Sequence, residues 1–347
     1  MRQSGWGRRI GTFALGLALA WSAGGPAHAA DFYEGKVIRM VVGFTAGGGF
    51  DVQARTLARH LSKHIPGKPA IVVENMPGAG SLKAANHIAR VAKPDGLTVG
   101  MVSGATVMGQ LLGRKGVQFD VRRFEVIGSP APYKTVCVFS RKSGITSLAK
   151  WRSSPRPVKV GGTSPGASAH DVPLVLHAAL GLPLQHVPGY GGTSKIRLAV
   201  EGGEVDGTCF AWDSIKATWA AKLKTGDIVA VLQTHLTKLP DLPDAPLALD
   251  LAKTDEARQL LRLGIAAPGM VNRYFTFPPK TPKDRVETLR KAFLQATKDK
   301  DFLSEAEKAK IDTDPLTAKQ VMENFDSLLS MKPEVAAKLK KVFSGAK

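Results

Sequence analysis

Short apolar runs alternate with segments of helical periodicity along most of the chain. Lys36-Val-Ile-Arg-Met-Val-Val-Gly43 has the near-continuous apolar character of a buried strand. After Gly47, Gly48 and Gly49 come Leu57, Leu61 and Ile65 at helical spacing, with Asp51 placed to cap that helix and Pro66-Gly67 to end it. Ala70-Ile-Val-Val-Glu74 reads as the next strand and Pro77-Gly-Ala-Gly80 as a second loop. Leu82, Ala85, Ala89 and Ala92 then mark one face of a helix, and 97–102 is a third strand. Repeated strand, loop and helix predict a doubly wound α/β lobe with a mostly parallel sheet.

A second series begins near Phe124, with strands expected at 124–127, 135–139, 158–160, 184–188, 207–212 and 228–232. A short helix is expected over 147–151, and a longer apolar one over 172–180 follows the glycine-rich turn Gly161-Gly-Thr-Ser-Pro-Gly166. Pro240, Pro243 and Pro246 mark a connection back, and the charged tail after Pro282 is helical. The organisation read from this is a first lobe at 30–130, an inserted second lobe at 131–245 and a return at 246–347, its C-terminal helices rejoining the first lobe.

The N-terminus has a different pattern. Arg2, Arg8 and Arg9 precede an apolar stretch over 10–21, and Ala27-His28-Ala29 has the A-x-A form of a cleavage site. Residues 1–29 therefore read as a secretory signal peptide cut after Ala29, which places the mature protein in the periplasm. The formal net charge of +19 becomes +16 without those three arginines. Basic residues are spread along the chain rather than massed, so a field that attracts small anions, or simple solubility, is favoured over nucleic-acid binding. Cys137 and Cys209 both sit in apolar runs and have no metal-site spacing. They fit either a disulfide in an oxidising compartment or two buried thiols.

Three glycine-rich segments, Gly47 to Asp51, Gly78 to Ser81 and Gly161 to Ser168, join a strand end to a helix start. Ligands collect at that place in open α/β sheets, and the free N–H groups of a first helical turn suit a carboxylate or phosphate. Three such loops on two lobes can close on one anion. Nucleotide signatures are incomplete: Gly78-Ala-Gly80 is followed by Lys83 where the dinucleotide fingerprint needs glycine. No G-x-S-x-G elbow is present. His170 and Asp171 are adjacent and read as a helix start rather than a catalytic pair. A nucleotide-using α/β enzyme is thus a weaker alternative to a binding protein without cofactor.

Taken together, the loops resemble the periplasmic receptors of tripartite tricarboxylate transporters, the TctC or Bug family. The resemblance rests on Ile38 through Asp51 with Ala54-Arg55, on Val72-Val-Glu-Asn-Met-Pro-Gly-Ala-Gly80 and on Ala92-Lys-Pro-Asp-Gly-Leu-Thr98. In the second half it rests on Gly161-Gly-Thr-Ser-Pro-Gly166 with His170, on His186-Val-Pro-Gly-Tyr-Gly-Gly192 and on Gly202-Gly-Glu-Val-Asp206. It implies a two-lobed, type II periplasmic binding protein, or Venus flytrap. Each lobe would be a doubly wound sheet flanked by helices, and the protein a monomer that captures a small organic anion, a carboxylate. It further implies membrane permease subunits as partners, or a sensing role toward a membrane receptor. Carried over residue by residue, the ligand contacts are Thr45, Ala46, Gly47, Gly48 and Asp51 in the first lobe. In the second they are Thr163, Ser164, Gly166, Ser168, Tyr190 and Gly191, with Ser103 adding a hydroxyl from the third strand. The chain departs from the family pattern at Gly43, Thr45, Ala167, Asp171 and Gly189, near the expected pocket.

Overall fold

Two mixed sheets, each flanked by helices, form a two-lobed α/β protein. The computed structural model describes residue 1 and residues 32–344, so the expected signal peptide and its cleavage site lie outside the described residues. In the first sheet β1 (Val37–Val42), β2 (Ala70–Asn75) and β3 (Thr98–Val102) run parallel. β10 (Tyr274–Phe277) lies antiparallel between β3 and β4 (Glu125–Ser129), and β11 (Leu316–Thr317) adds an edge. The order is β11-β4-β10-β3-β1-β2. The second sheet, β7-β6-β8-β5-β9, contains β5 (Thr135–Ser140), β6 (Val158–Gly161), β7 (Leu184–Val187), β8 (Gly207–Ala211) and β9 (Ile228–Gln233). β6 is parallel to β7 and β8, whereas β5 is antiparallel to β8 and β9.

The expected mostly parallel first sheet is corrected to a mixed one. The chain leaves the first lobe after β4 and comes back through β10, and a strand entering from the other lobe runs against its neighbours. The four residues Tyr-Phe-Thr-Phe of β10 are all buried.

Alternation across each strand builds the cores. Met40, Val42, Met101 and Phe275 face α1 (Gly49–Leu61), where Leu57 packs, and later helices that supply Phe293 and Phe302. In the second sheet Val136, Val138 and Phe210 join Ile196, Ile215 and Trp219, while Cys137, Phe139 and Cys209 turn to the opposite side with Trp151 and Leu176. Cys137 and Cys209 are register partners on β5 and β8 and form a disulfide. Of the two readings open from sequence, paired cysteines is the one found.

The remaining helices are α2 (Leu82–Arg90), α3 (Ala105–Leu111), α4 (Leu148–Arg152), α5 (Ser168–Leu180), α6 (Thr193–Glu201) and α7 (Trp212–Thr225). After β9 come α8 (Asp255–Leu261), α9 (Ala267–Met270), α10 (Lys283–Ala296), α11 (Lys300–Lys308), α12 (Ala318–Leu329) and α13 (Pro333–Phe343). The return to the first lobe is later and less complete than expected. α8 packs on α5 of the second lobe before β10 rejoins the first sheet. α10, α11 and α12 do cover the first lobe, but α13 ends on α5 and α8. Its Leu339 is fully buried over Gly264, where an added Cβ would lie 2.7 Å from Leu339 Cδ2.

Candidate ligand cleft

The two lobes meet face to face at the ends of β1, β3, β6 and the 187–193 turn. α1 starts on Gly48, α5 on Ala167 and α6 on Gly192, and none of these three N-caps offers a side-chain acceptor. Ser147, Thr254, Asp299 and Thr317 cap four helices elsewhere, whereas those starting on Ser81, Gly104, Ala211, Pro282 and Lys332 also lack a side-chain cap, so what marks the three is that they face one cavity. Every helix leaves its first N–H groups without intrahelical partners, and a side-chain cap satisfies one or two of them. The three first turns at the cleft thus retain N–H donors and the positive end of the helix dipole.

Close approach across the cleft depends on glycine. An added Cβ would lie 1.7 Å from Ser214 Oγ at Gly49, and 2.2 Å from Thr45 Oγ1 at Gly192. Thr45 Oγ1 also reaches Ser194 Oγ at 3.3 Å, joining the lobes by a hydroxyl pair. The Gly78–Ser81 loop, a candidate ligand loop by sequence, instead seals the closed form. Gly80 has φ +64°, and a Cβ there would be 2.9 Å from the Pro165 carbonyl.

Between the lobes lies a small cavity of about 20 Å³, room for about one water in this closed form. Thr45, Gly48, Ser103, Thr163 and Ser168 line it, as the sequence reading had them. So do Phe44, Phe50, Tyr133, Thr193 and Asn272, which that reading missed. Thr193 follows a Gly-Gly pair at a helix start, a signal that was legible. Tyr133 and Asn272 belong to the crossings between lobes and carry no local signal. Thr163 Oγ1 is buried and has no hydrogen-bond partner among the described residues, the kind of orphan that a ligand or water satisfies. Ser103 Oγ is already committed: it donates to Asn272 Oδ1 at 2.7 Å and accepts from the Ala105 N–H. No charged side chain lines this cavity.

The other expected contacts sit elsewhere. Ala46 and Gly47 are exposed on the loop before α1. Asp51 is buried but is the third residue of α1 rather than its cap, because Gly48 occupies that position. Its carboxylate accepts from the Gly47 N–H at 2.9 Å, from Arg55 Nε at 2.9 Å and from Asn75 Nδ2 at 3.0 Å. Burial alone would push its pKa up, but these donors outweigh it and hold the carboxyl below its usual range. Asp51 therefore shapes the loop. Ser164 and Gly166 are not among the residues lining the cavity; Gly166 lines a pocket beyond it with Pro165, and a small one between the two with Tyr133, Ser168 and Asn272. Tyr190 donates its hydroxyl to Glu204 Oε1 at 2.5 Å, and burial together with that carboxylate pushes its pKa up to about 12. Gly191 lies against the Thr45 methyl, 3.3 Å from an added Cβ.

His170 and Asp171, although adjacent, do touch: Nδ1 and Oδ1 are 2.8 Å apart, and the same Oδ1 accepts from the Gly166 N–H at 3.0 Å. From sequence the pair reads only as a helix start. His186 packs its ring edge-on to His170 at 4.5 Å, and burial, with His170 beside it, lowers its pKa to about 4. Below the cavity floor Arg273 is fully buried between the rings of Phe50 and Tyr133, 5.4 and 4.7 Å from their centroids. It donates to Gln53 of α1, and through both terminal nitrogens to Asp213 of the second lobe. Its Nη2 also reaches Ser214 Oγ at 2.7 Å. Nothing near Arg273 in the sequence signals this burial.

A two-lobed α/β fold with a neutral, donor-rich cleft is the architecture of periplasmic binding proteins. Residues 53–328 match the model of the tripartite tricarboxylate transporter family receptor, TctC, and the chain belongs to that family. The structure of periplasmic binding protein BugD is similar, with a TM-score of 0.73 and 22% identity over 89% of this chain and 98% of that one. MatC of Rhodopseudomonas palustris, with bound malate, has a TM-score of 0.67 at 21% identity, over 89% of this chain and 99% of that one. An R. palustris protein with adipate has a TM-score of 0.71 at 20% identity, over 88% of this chain and 97% of that one. At these identities the likeness shows the fold. The family is one of periplasmic solute-binding receptors.

Proposed function

We propose that this protein is an exported solute receptor that captures a small carboxylate between its lobes and presents it to the membrane subunits of a tripartite tricarboxylate-type transporter. The carrying observation is the set of three uncapped helix starts, α1, α5 and α6, facing one cavity beside the orphaned Thr163 hydroxyl. Backbone N–H groups and hydroxyls recognise a carboxylate without a buried counter-ion. A lining of neutral residues, in which Tyr133 is the one side chain among the described residues of a kind that transfers protons, offers a grip and favours binding over catalysis. The malate and adipate held by two proteins of this fold support the ligand class. The Cys137–Cys209 bond suits an oxidising compartment.

The test is a thermal-shift panel of mono-, di- and tricarboxylates, malate and adipate among them, on the mature protein. A ligand at a hundred times its Kd stabilises the folded state by about 2.7 kcal/mol, a readily visible shift. No shift with any member of the panel overturns the ligand class.

Gly49→Ala probes closure. Alanine suits the first turn of α1, but its methyl would meet Ser214 of the opposite lobe. Overpacking of about 1–3 kcal/mol, felt only by the closed form, weakens binding of the panel's best ligand about 5- to 150-fold. Calorimetry showing parental affinity would mean that closure does not bring these two residues together.

A further inference from the structure

We propose that the protein carries a second ligand site, on the side of the 163–171 turn away from the cleft, for a monocarboxylate with an aliphatic chain. A cavity of about 170 Å³ lies there. α3 supplies Met108 and Leu112, the second lobe supplies Pro165 and Gly166, and the C-terminal helix supplies Lys340 and Phe343. The walls are mainly apolar, and Arg114 and the acid Asp171 stand among them, with Lys340 at the rim, so the cations outnumber the one carboxylate.

Arg114 is partly buried and makes no side-chain hydrogen bond or ion pair among the described residues. Its Nη1 rests against Gly166, which has φ +92°; a Cβ at Gly166 would lie 2.8 Å from it. The acid that its charge feels is Asp171, whose Oδ1 is already taken by His170 and the Gly166 N–H. Burial works against the charge of Arg114 and lowers its pKa. Lys340 adds a second cation at the rim. An anionic head on the guanidinium with an apolar tail along Met108, Leu112 and Phe343 answers both halves of this lining.

The same turn forms a wall of each cavity. Thr163, Ala167 and Ser168 face the cleft, whereas Pro165 and Gly166 face the second pocket. Because α3 belongs to one lobe and the turn to the other, the second pocket is complete only when the lobes are closed. Its ligand therefore favours closure and tightens binding in the cleft, and by linkage the cleft ligand tightens binding here.

The experiment titrates octanoate into the mature protein by calorimetry, with acetate and octanol as controls for head and tail. Octanoate is expected to bind more tightly than either control. Arg114→Gln is expected to weaken it at least about tenfold, and Lys340→Glu, on an exposed residue, to weaken it by a smaller factor. Thr163→Val, in the cleft, is expected to leave the Arg114 dependence in place. Absence of octanoate binding at millimolar concentration overturns the proposal. So does equal binding by parent, Arg114→Gln and Lys340→Glu, as does loss of binding in Thr163→Val alone, which would place octanoate in the cleft. Should Arg114→Gln lose its native circular dichroism, the Lys340→Glu result decides.

Discussion

Asp213→Ala is expected to destabilise the protein by about 3–5 kcal/mol, the usual cost of stranding one member of a buried ion pair. Arg273 and Asp213 are 1% and 5% exposed, so neither charge can turn to water when its partner is removed. Burial acts against the charge on Arg273, and Asp213 outweighs it, holding the guanidinium pKa above its usual value. Gln53, Ser214 and the Phe50 and Tyr133 rings remain around the stranded cation without a full negative charge, and Asp312 acts on it more weakly than Asp213. Urea unfolding of the variant against the parent measures the loss.

The double variant Arg273→Met, Asp213→Leu separates charge from packing. Apolar replacement of a whole buried pair is commonly neutral or better, so the double variant should recover most of what Asp213→Ala loses. Arg273 has φ +76°, and methionine would bear the same backbone cost, so the comparison is fair on that count. A double variant as unstable as the single one would show that the pair contributes through its hydrogen-bond geometry rather than through balanced charge.

Reduction of the Cys137–Cys209 bond is the second large effect. The cysteines are 72 residues apart, and the loop they close holds β6, α5, β7 and α6, most of the second lobe. The unfolded-chain entropy released by opening a loop of that size is about 4 kcal/mol. Both cysteines are fully buried, so reductant gains access only as the second lobe opens. The urea midpoint of the second lobe, followed by the fluorescence of Trp151, Trp212 and Trp219, should fall in the presence of a thiol reductant. Equal midpoints under oxidising and reducing conditions would remove the disulfide as a stabilising element.

The elements most legible in the sequence were those punctuated locally. β1, β2, β3 and the helix starts at Gly49 and Ser168 follow glycine-rich turns, and backbone that must pass φ > 0 or approach closely leaves that signature. β10 was not legible, because four residues between a turn and a proline pair carry too little pattern. Asp51 was misplaced by three positions, since a glycine can occupy the N-cap while an acid further on reaches back to the loop. The cleft was half legible for a related reason. Thr45, Gly48, Thr163 and Ser168 lie on marked loops, whereas Tyr133 and Asn272 arrive from the crossings and become neighbours only when two distant segments pass between the lobes. Arg273 is the extreme case. A lone arginine reads as a surface residue until Asp213, 60 positions away, is packed against it.

The last helix bears on how the lobes can move. α12 lies on the first lobe and α13 on the second, so Ser330, Met331 and Lys332 form a third cord beside the β4–β5 and α8–α9 connections. Two cords define an axis about which one lobe can swing. A third, held on the second lobe by Leu339 packed over Gly264, is one more covalent link that any opening of the lobes must accommodate.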